Sequence, residues 1–218
     1  MAKLGRLLTA MVTPFSERGE LDTEQAGKLA KALLDSGSEG LVLAGTTGES
    51  PTLTREEKLR LFAEVRSAIG RRGNVVANTG NYSTAESIEL TREAERLGVD
   101  AVLLVVPYYN KPTQEGLYLH FKSIAESTHL PCILYNVPSR TVTALTADTV
   151  VKLSKIENIM GIKEASGNLE QTARVIQEAR PGFLVWSGND ADTFPMMAMG
   201  GYGVISVAAH LVGLQMQD

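Results

Sequence analysis

Eight short apolar runs recur at nearly even spacing along the chain, and this regularity constrains the fold more than any other feature. They are LLTAMV (7–12), GLVLAG (40–45), NVVANTG (74–80), AVLLVV (101–106), CILYNV (132–137), IMGIKEA (159–165), FLVWSG (183–188) and GVISVA (203–208). Each is rich in Val, Leu and Ile with little polar alternation, the mark of strands covered on both faces, as in a parallel sheet. Helical patterns fill the gaps at 23–34, 54–69, 84–97, 113–127, 146–153, 168–179 and 191–199. Thr54-x-x-Glu57 opens the second as a capping box, followed by Leu61, Phe62, Val65 and Ile69 on one face. Gly98 stops the third. Eight strands in strict alternation with seven helices predict an α/β fold, the (β/α)8 TIM barrel. In such a barrel the loops that follow the strands build the active site.

The 218 residues are enough for one barrel spanning 1–218, whose core needs neither disulfide nor metal. No linker, composition shift or low-complexity segment divides the chain. A net charge of −4 offers no basic excess for nucleic acid or an anionic membrane. The single cysteine, Cys132, lies inside an apolar run, so no disulfide framework or thiolate metal cage forms within one chain. A reducing, cytoplasmic setting is compatible, and the N-terminus lacks a signal-peptide pattern. From Thr193 to Gln217, 25 residues carry no Asp, Glu, Lys or Arg, long enough to span a bilayer. Pro195, Gly200, Gly201, Gly203 and Gly213 punctuate the stretch, which is therefore expected to be short elements of buried core. Only ten residues follow Ala208, so the eighth helix is expected to lack most of its length, one or two turns at most.

Several strand ends carry candidate chemistry. Lys163 ends the sixth run. At the mouth of a barrel its amine would be desolvated, which favours the neutral form and allows attack on a ketone to give a Schiff base. The alternative is a surface lysine paired with Glu164. GTTGES (45–50) offers the Thr46 and Thr47 hydroxyls and glycine-flanked N–H groups that suit a carboxylate or phosphate. It is not a P-loop, and a plain turn is the alternative. PYYN (107–110) presents two tyrosines to the mouth, to a partner chain, or as a plug. Tyr135 ends the fifth strand, where its phenol can exchange a proton with substrate. Arg140 in the same loop offers a planar fork for a carboxylate, or a solvated charge. Asp190 and Asp192 read most simply as helix-cap and dipole partners. The three histidines lie far apart in sequence, and no metal site is expected. Neither G-x-S-x-G nor a helix-opening G-x-G-x-x-G is present, so hydrolase and dinucleotide readings lack support.

Taken together, GTTGES, PYYNKPTQEG, YNVPSRT and GIKEASGN, in this order and spacing, resemble the pyruvate-dependent class I aldolases and, among them, the dihydrodipicolinate synthase family. The resemblance runs from about Arg6 to Leu214. It implies condensation of pyruvate with aspartate 4-semialdehyde to 4-hydroxy-tetrahydrodipicolinate, in the diaminopimelate route to lysine. By this resemblance Lys163 forms an imine with pyruvate and Tyr135 shuttles protons. Thr47 stands between Tyr135 and Tyr109 in a hydroxyl relay, with Tyr109 coming from an adjacent subunit of a homodimer or homotetramer. Thr46 and Thr47 bind the pyruvate carboxylate, Arg140 binds that of the semialdehyde, and Gly188 and Ile205 line the pocket. No cofactor is implied beyond the covalent imine.

Family members usually continue with the rest of the last barrel helix and a small helical domain. Here the seam between the first and seventh helices is expected to be open, exposing apolar surface of the first and eighth strands. In lysine-sensitive relatives an inhibitor cleft uses polar and histidine side chains. The corresponding positions here are Ser50, Pro51, Arg55, Lys58, Tyr82 and Glu86, and the cations at 55 and 58 predict weak or absent inhibition. Sibling aldolases acting on N-acetylneuraminate or 2-keto-3-deoxy-sugar acids share the lysine, the tyrosine and the GTTGE-type turn, but Arg140 and the second tyrosine of PYYN favour the synthase. A shortened, non-catalytic scaffold barrel is the other class considered.

Overall fold

The computed structural model describes residues 4–217. Eight parallel strands close into a barrel in the order of the chain. They are β1 (Leu7–Ala10), β2 (Gly40–Leu43), β3 (Asn74–Asn78), β4 (Ala101–Val105), β5 (Cys132–Asn136), β6 (Ile159–Glu164), β7 (Leu184–Ser187) and β8 (Gly203–Ser206). The ring shuts where β1 pairs with β8, Leu8 opposite Ile205. Each strand is the core of one apolar run. The residues that trail off at its end (Thr46, Thr79 or Pro107, for example) turn away to begin a loop.

The helices are α1 (Thr23–Asp35), α2 (Arg55–Ile69), α3 (Thr84–Arg96), α4 (Gln114–Ala125), α5 (Pro138–Thr141), α6 (Ala147–Leu153), α7 (Leu169–Glu178), α8 (Thr193–Ala198) and α9 (Ala209–Gln217). The capping box at the start of α2 is present on both sides: the Thr54 hydroxyl accepts from Glu57 N–H, and Thr54 N–H donates to the Glu57 carboxylate. Gly98 takes a positive φ of 75° after α3, a backbone state that suits glycine. The seven expected helices are joined by the one-turn α5, hidden in the sequence because Pro138 opens it inside a loop.

The period of two along each strand sorts the side chains into two cores. Leu8, Val42, Val76, Leu103, Ile133, Tyr135, Trp186 and Ile205 point inward and fill the barrel. Leu41, Leu43, Val75, Val102, Leu104, Leu134 and Ile162 point outward against Phe62, Phe121, Val150 and other helix residues. Near the bottom, the Trp186 Nε1–H donates to Gly5 O at 3.1 Å. Gly161 leaves room for that ring, since a β-carbon there would meet Trp186 Cζ3 at 2.7 Å.

The expected open seam is closed. The last segment forms α9, two turns broken by a non-helical Val212, and it lies on β1. Leu7, Val204 and Ala209 are buried together with Met216 packed against them. Apolar exposure has moved one layer outward instead: Phe194 is 84% and Leu211 90% exposed. The charge-free stretch from 193 is thus divided into α8, β8 and α9, and only part of it is core. No helix among the described residues is long and apolar enough to cross a membrane.

Candidate active site

Strand parity and register bring the central pair together. Tyr135 on β5 stands opposite Lys163 on β6, and both point inward. The Lys163 Nζ sits 4.4 Å from the centre of the Tyr135 ring. Lys163 is buried, and burial lowers its pKa from 10.5 to about 8, partly opposed by the negative charge of Asp190. The surface-lysine alternative is therefore corrected. Glu164, the partner it required, is one residue on and faces the other way, where Asn136 Nδ2 donates to its carboxylate at 3.0 and 3.2 Å.

Burial raises the Tyr135 phenol, while the Thr46 side chain, its hydrogen-bonding neighbour, and the Arg140 charge pull it back down. Thr46 stands on the cavity wall, and Thr47, expected in the relay, is not among the lining residues. This cavity of about 240 Å³ has Thr46, Asn78, Tyr108, Val137 and Arg140 among its walls, while Lys163, Tyr135, Gly188 and Ile205 are not among its lining residues. Arg140 is exposed at its rim, on α5. Among the described residues it makes no ion pair, so its fork is available to a ligand.

The two tyrosines of PYYN separate. Tyr108 lines the cavity and packs edge-on against Tyr82 at 5.2 Å. Tyr109 takes a φ of 70° and stands 91% exposed, away from its own pocket. Ile205 is wholly buried in the barrel core with Tyr135. Gly188 touches the lysine stem directly. A β-carbon there would lie 3.0 Å from Lys163 Cε and 2.7 Å from the Ala165 β-carbon.

Asp190 does not cap α8. Its Oδ2 accepts from the N–H groups of Val207 and Ala208 at 3.2 and 3.0 Å, tying the loop after β7 to the loop after β8. Its other oxygen is buried without a partner among the described residues. Tyr108, Asn136 and Asp190 are the members of this neighbourhood that motif reading missed or misplaced. Parity along YN and KE was the available signal for Asn136. Among the described residues no group of His, Cys, Asp and Glu side chains gathers as metal ligands would.

The Gly188 contact predicts a specific defect. Gly188→Ala pushes the Lys163 stem out of line and slows reaction of its amine with a carbonyl compound by about 10²-fold, as ångström-scale misplacement of a nucleophile does. Single-turnover kinetics beside a denaturation curve measure it. Unchanged kinetics would show that the lysine does not rest on this wall.

Comparison with known proteins gives the same family throughout. The model of the dihydrodipicolinate synthetase family matches residues 3–218. A 4-hydroxy-tetrahydrodipicolinate synthase from Dehalococcoides mccartyi is 67% identical over 218 residues, covering 100% of this chain and 73% of the relative. The crystal structure of dihydrodipicolinate synthase from Bacillus anthracis superposes with a TM-score of 0.98 at 51% identity, over 100% of this chain and 74% of that one. A lysine-bound synthase from Cyanidioschyzon merolae gives a TM-score of 0.97 at 48% identity, over 98% of this chain and 73% of that one. With its closed barrel, buried lysine and adjoining tyrosine, the chain belongs to the dihydrodipicolinate synthetase family.

Proposed function

We propose that this chain condenses pyruvate with aspartate 4-semialdehyde through an imine on Lys163, yielding 4-hydroxy-tetrahydrodipicolinate. The observation that carries the reading is the buried, partly neutral amine held 4.4 Å from the Tyr135 ring inside a closed barrel. The neutral nitrogen attacks the keto carbon, and the carbonyl oxygen leaves as water, carrying one proton from the amine and one from the Tyr135 phenol. The iminium then acts as an electron sink: the Tyr135 phenolate takes a methyl proton, which restores the phenol, and an enamine forms. The enamine carbon attacks the aldehyde, whose oxygen takes up a proton. The semialdehyde's own amine then displaces Lys163 from the imine carbon, closing the ring and freeing the enzyme. The imine supplies the electron sink, so the scheme calls on no metal or organic cofactor.

Thr46 relays protons with Tyr135, and N–H groups of the Thr46–Thr47 turn hold the pyruvate carboxylate. Arg140 takes the semialdehyde carboxylate at the rim, and its free fork supports that role. Tyr109 serves a neighbouring copy in a homodimer or homotetramer. Its exposure beside an inward Tyr108 supports the crossing. The whole chain, 1–218, works as one catalytic barrel in the cytoplasm.

Borohydride reduction in the presence of pyruvate tests the central step. The expected result is a stable mass adduct on the Lys163 peptide, together with loss of at least about 10³-fold in kcat for Lys163→Arg. An adduct on another lysine, or none, would sink the reading.

Lysine feedback is weak in this reading. The cleft beside Tyr108 is lined by Arg55, Lys58, Tyr82, Glu86 and Glu89. Glu89 and Glu93 neutralise Arg55, so repulsion of a cationic ligand falls mainly on the half-buried Lys58. Titrating activity with L-lysine should give half-inhibition only above about 1 mM, an affinity of roughly 4 kcal/mol. Strong inhibition well below that would refute it.

A further inference from the structure

The outer faces of β5 and β6 are apolar up to their last residues. On β5 and β6, Cys132, Leu134, Ile159 and Ile162 pack against helices, and then Asn136 and Glu164 follow, 0% and 3% exposed. A carboxylate at such a place is costly unless fully hydrogen-bonded, and an apolar pair would serve packing as well. The bonds these two residues make point to another purpose. Glu164 accepts from Asn136 Nδ2 and, at 2.8 Å, from Ser166 N–H. Asn136 Oδ1 accepts from Leu145 N–H at 3.0 Å, and the Gln171 amide donates to Leu145 O at 3.2 Å.

Leu145 ends the loop that carries Arg140. Within that loop Val142 takes a φ of 62°, a sterically expensive state for a β-branched residue that persists only when its surroundings enforce it. Thr141 braces the strained turn by donating to Val137 O and Thr143 O. The far end is anchored by Asn136, whose register partner across the sheet is Glu164. One residue earlier, the same two strands carry Tyr135 and Lys163.

We propose that Asn136 and Glu164 are positioning residues for aspartate 4-semialdehyde, setting the Arg140 guanidinium over the pocket at a fixed place relative to Lys163. The anchor acts on the second substrate and not on the first, because pyruvate meets Lys163 and the Thr46–Thr47 turn on the inner face. The proposal rests on the reading that Arg140 binds the semialdehyde carboxylate.

A polarity swap tests it. Asn136→Asp sets two carboxylates against each other, and Glu164→Gln sets two amide donors against each other. The double variant restores a donor–acceptor pair in the reverse sense: the amide introduced on β6 donates to the carboxylate introduced on β5, and both backbone N–H groups are still accepted. Each single variant is expected to raise KM for aspartate 4-semialdehyde about tenfold, the loss of a hydrogen bond to a charged group. KM for pyruvate and the yield of borohydride-trapped adduct stay at their parent values, and the double variant recovers. Parallel changes in both KM values and kcat, or no recovery in the double variant, overturn the proposal in favour of a merely structural role.

Should the single variants not fold, half-buried Gln171→Met supplies the same test, with a selective rise of about threefold expected and an unchanged KM counting against the proposal. Arg140→Ala separates the two layers. If it leaves KM for the semialdehyde unchanged, the reading of Arg140 falls and the proposal with it. If it raises that KM while the network variants do not, the positioning role alone falls.

Discussion

A primary amine enclosed by a ring of strands loses most of its hydration, and the charged form suffers more than the neutral one. Everything else in this site follows from that asymmetry at Lys163. β5 and β7 flank its strand, Tyr135 covers one side, and Gly188 makes space for the stem on another. Asp190 moderates the effect from the loop after β7, so the nitrogen is set to about 8 and not driven lower. An amine at that value is a usable nucleophile near neutral pH.

The same two strands separate two jobs by parity. Inward positions hold the buried amine and phenol. Outward positions, one residue further on, hold a hydrogen-bonded carboxylate and amide that reach the Arg140 loop. Left-handed backbone at Ala44, Glu49, Tyr109, Lys111 and Val142 clusters in the loops after β2, β4 and β5, the side of the barrel that bears the pocket. The closed sheet supplies the rigidity against which these strained loops are held.

Much of this was legible in the chain. Even spacing of eight apolar runs carried the barrel because buried parallel strands lack polar alternation, and the Thr54–Glu57 cap and Gly98 stop marked real helix ends. The loop motifs drew attention to Lys163, Tyr135 and Arg140. What escaped reading had physical causes. Which of two adjacent threonines turns inward depends on a tight turn, not on residue type. Asp190 reached across to the β8 loop instead of capping its own helix, a tertiary choice that local propensity does not encode. The seam was closed because Ala209 and Met216 fold back over Leu7 and Val204, whereas residue counting had suggested too little chain to cover it.

The most direct test is the ionisation of Lys163 itself. Labelled lysine side chains in the ligand-free protein, followed by NMR against pH and assigned with Lys163→Arg, report one amine at a time. The account predicts a single lysine titrating near 8 that vanishes in the variant. A Lys163 resonance that titrates at about 10.4, the value of a solvated amine, would contradict it.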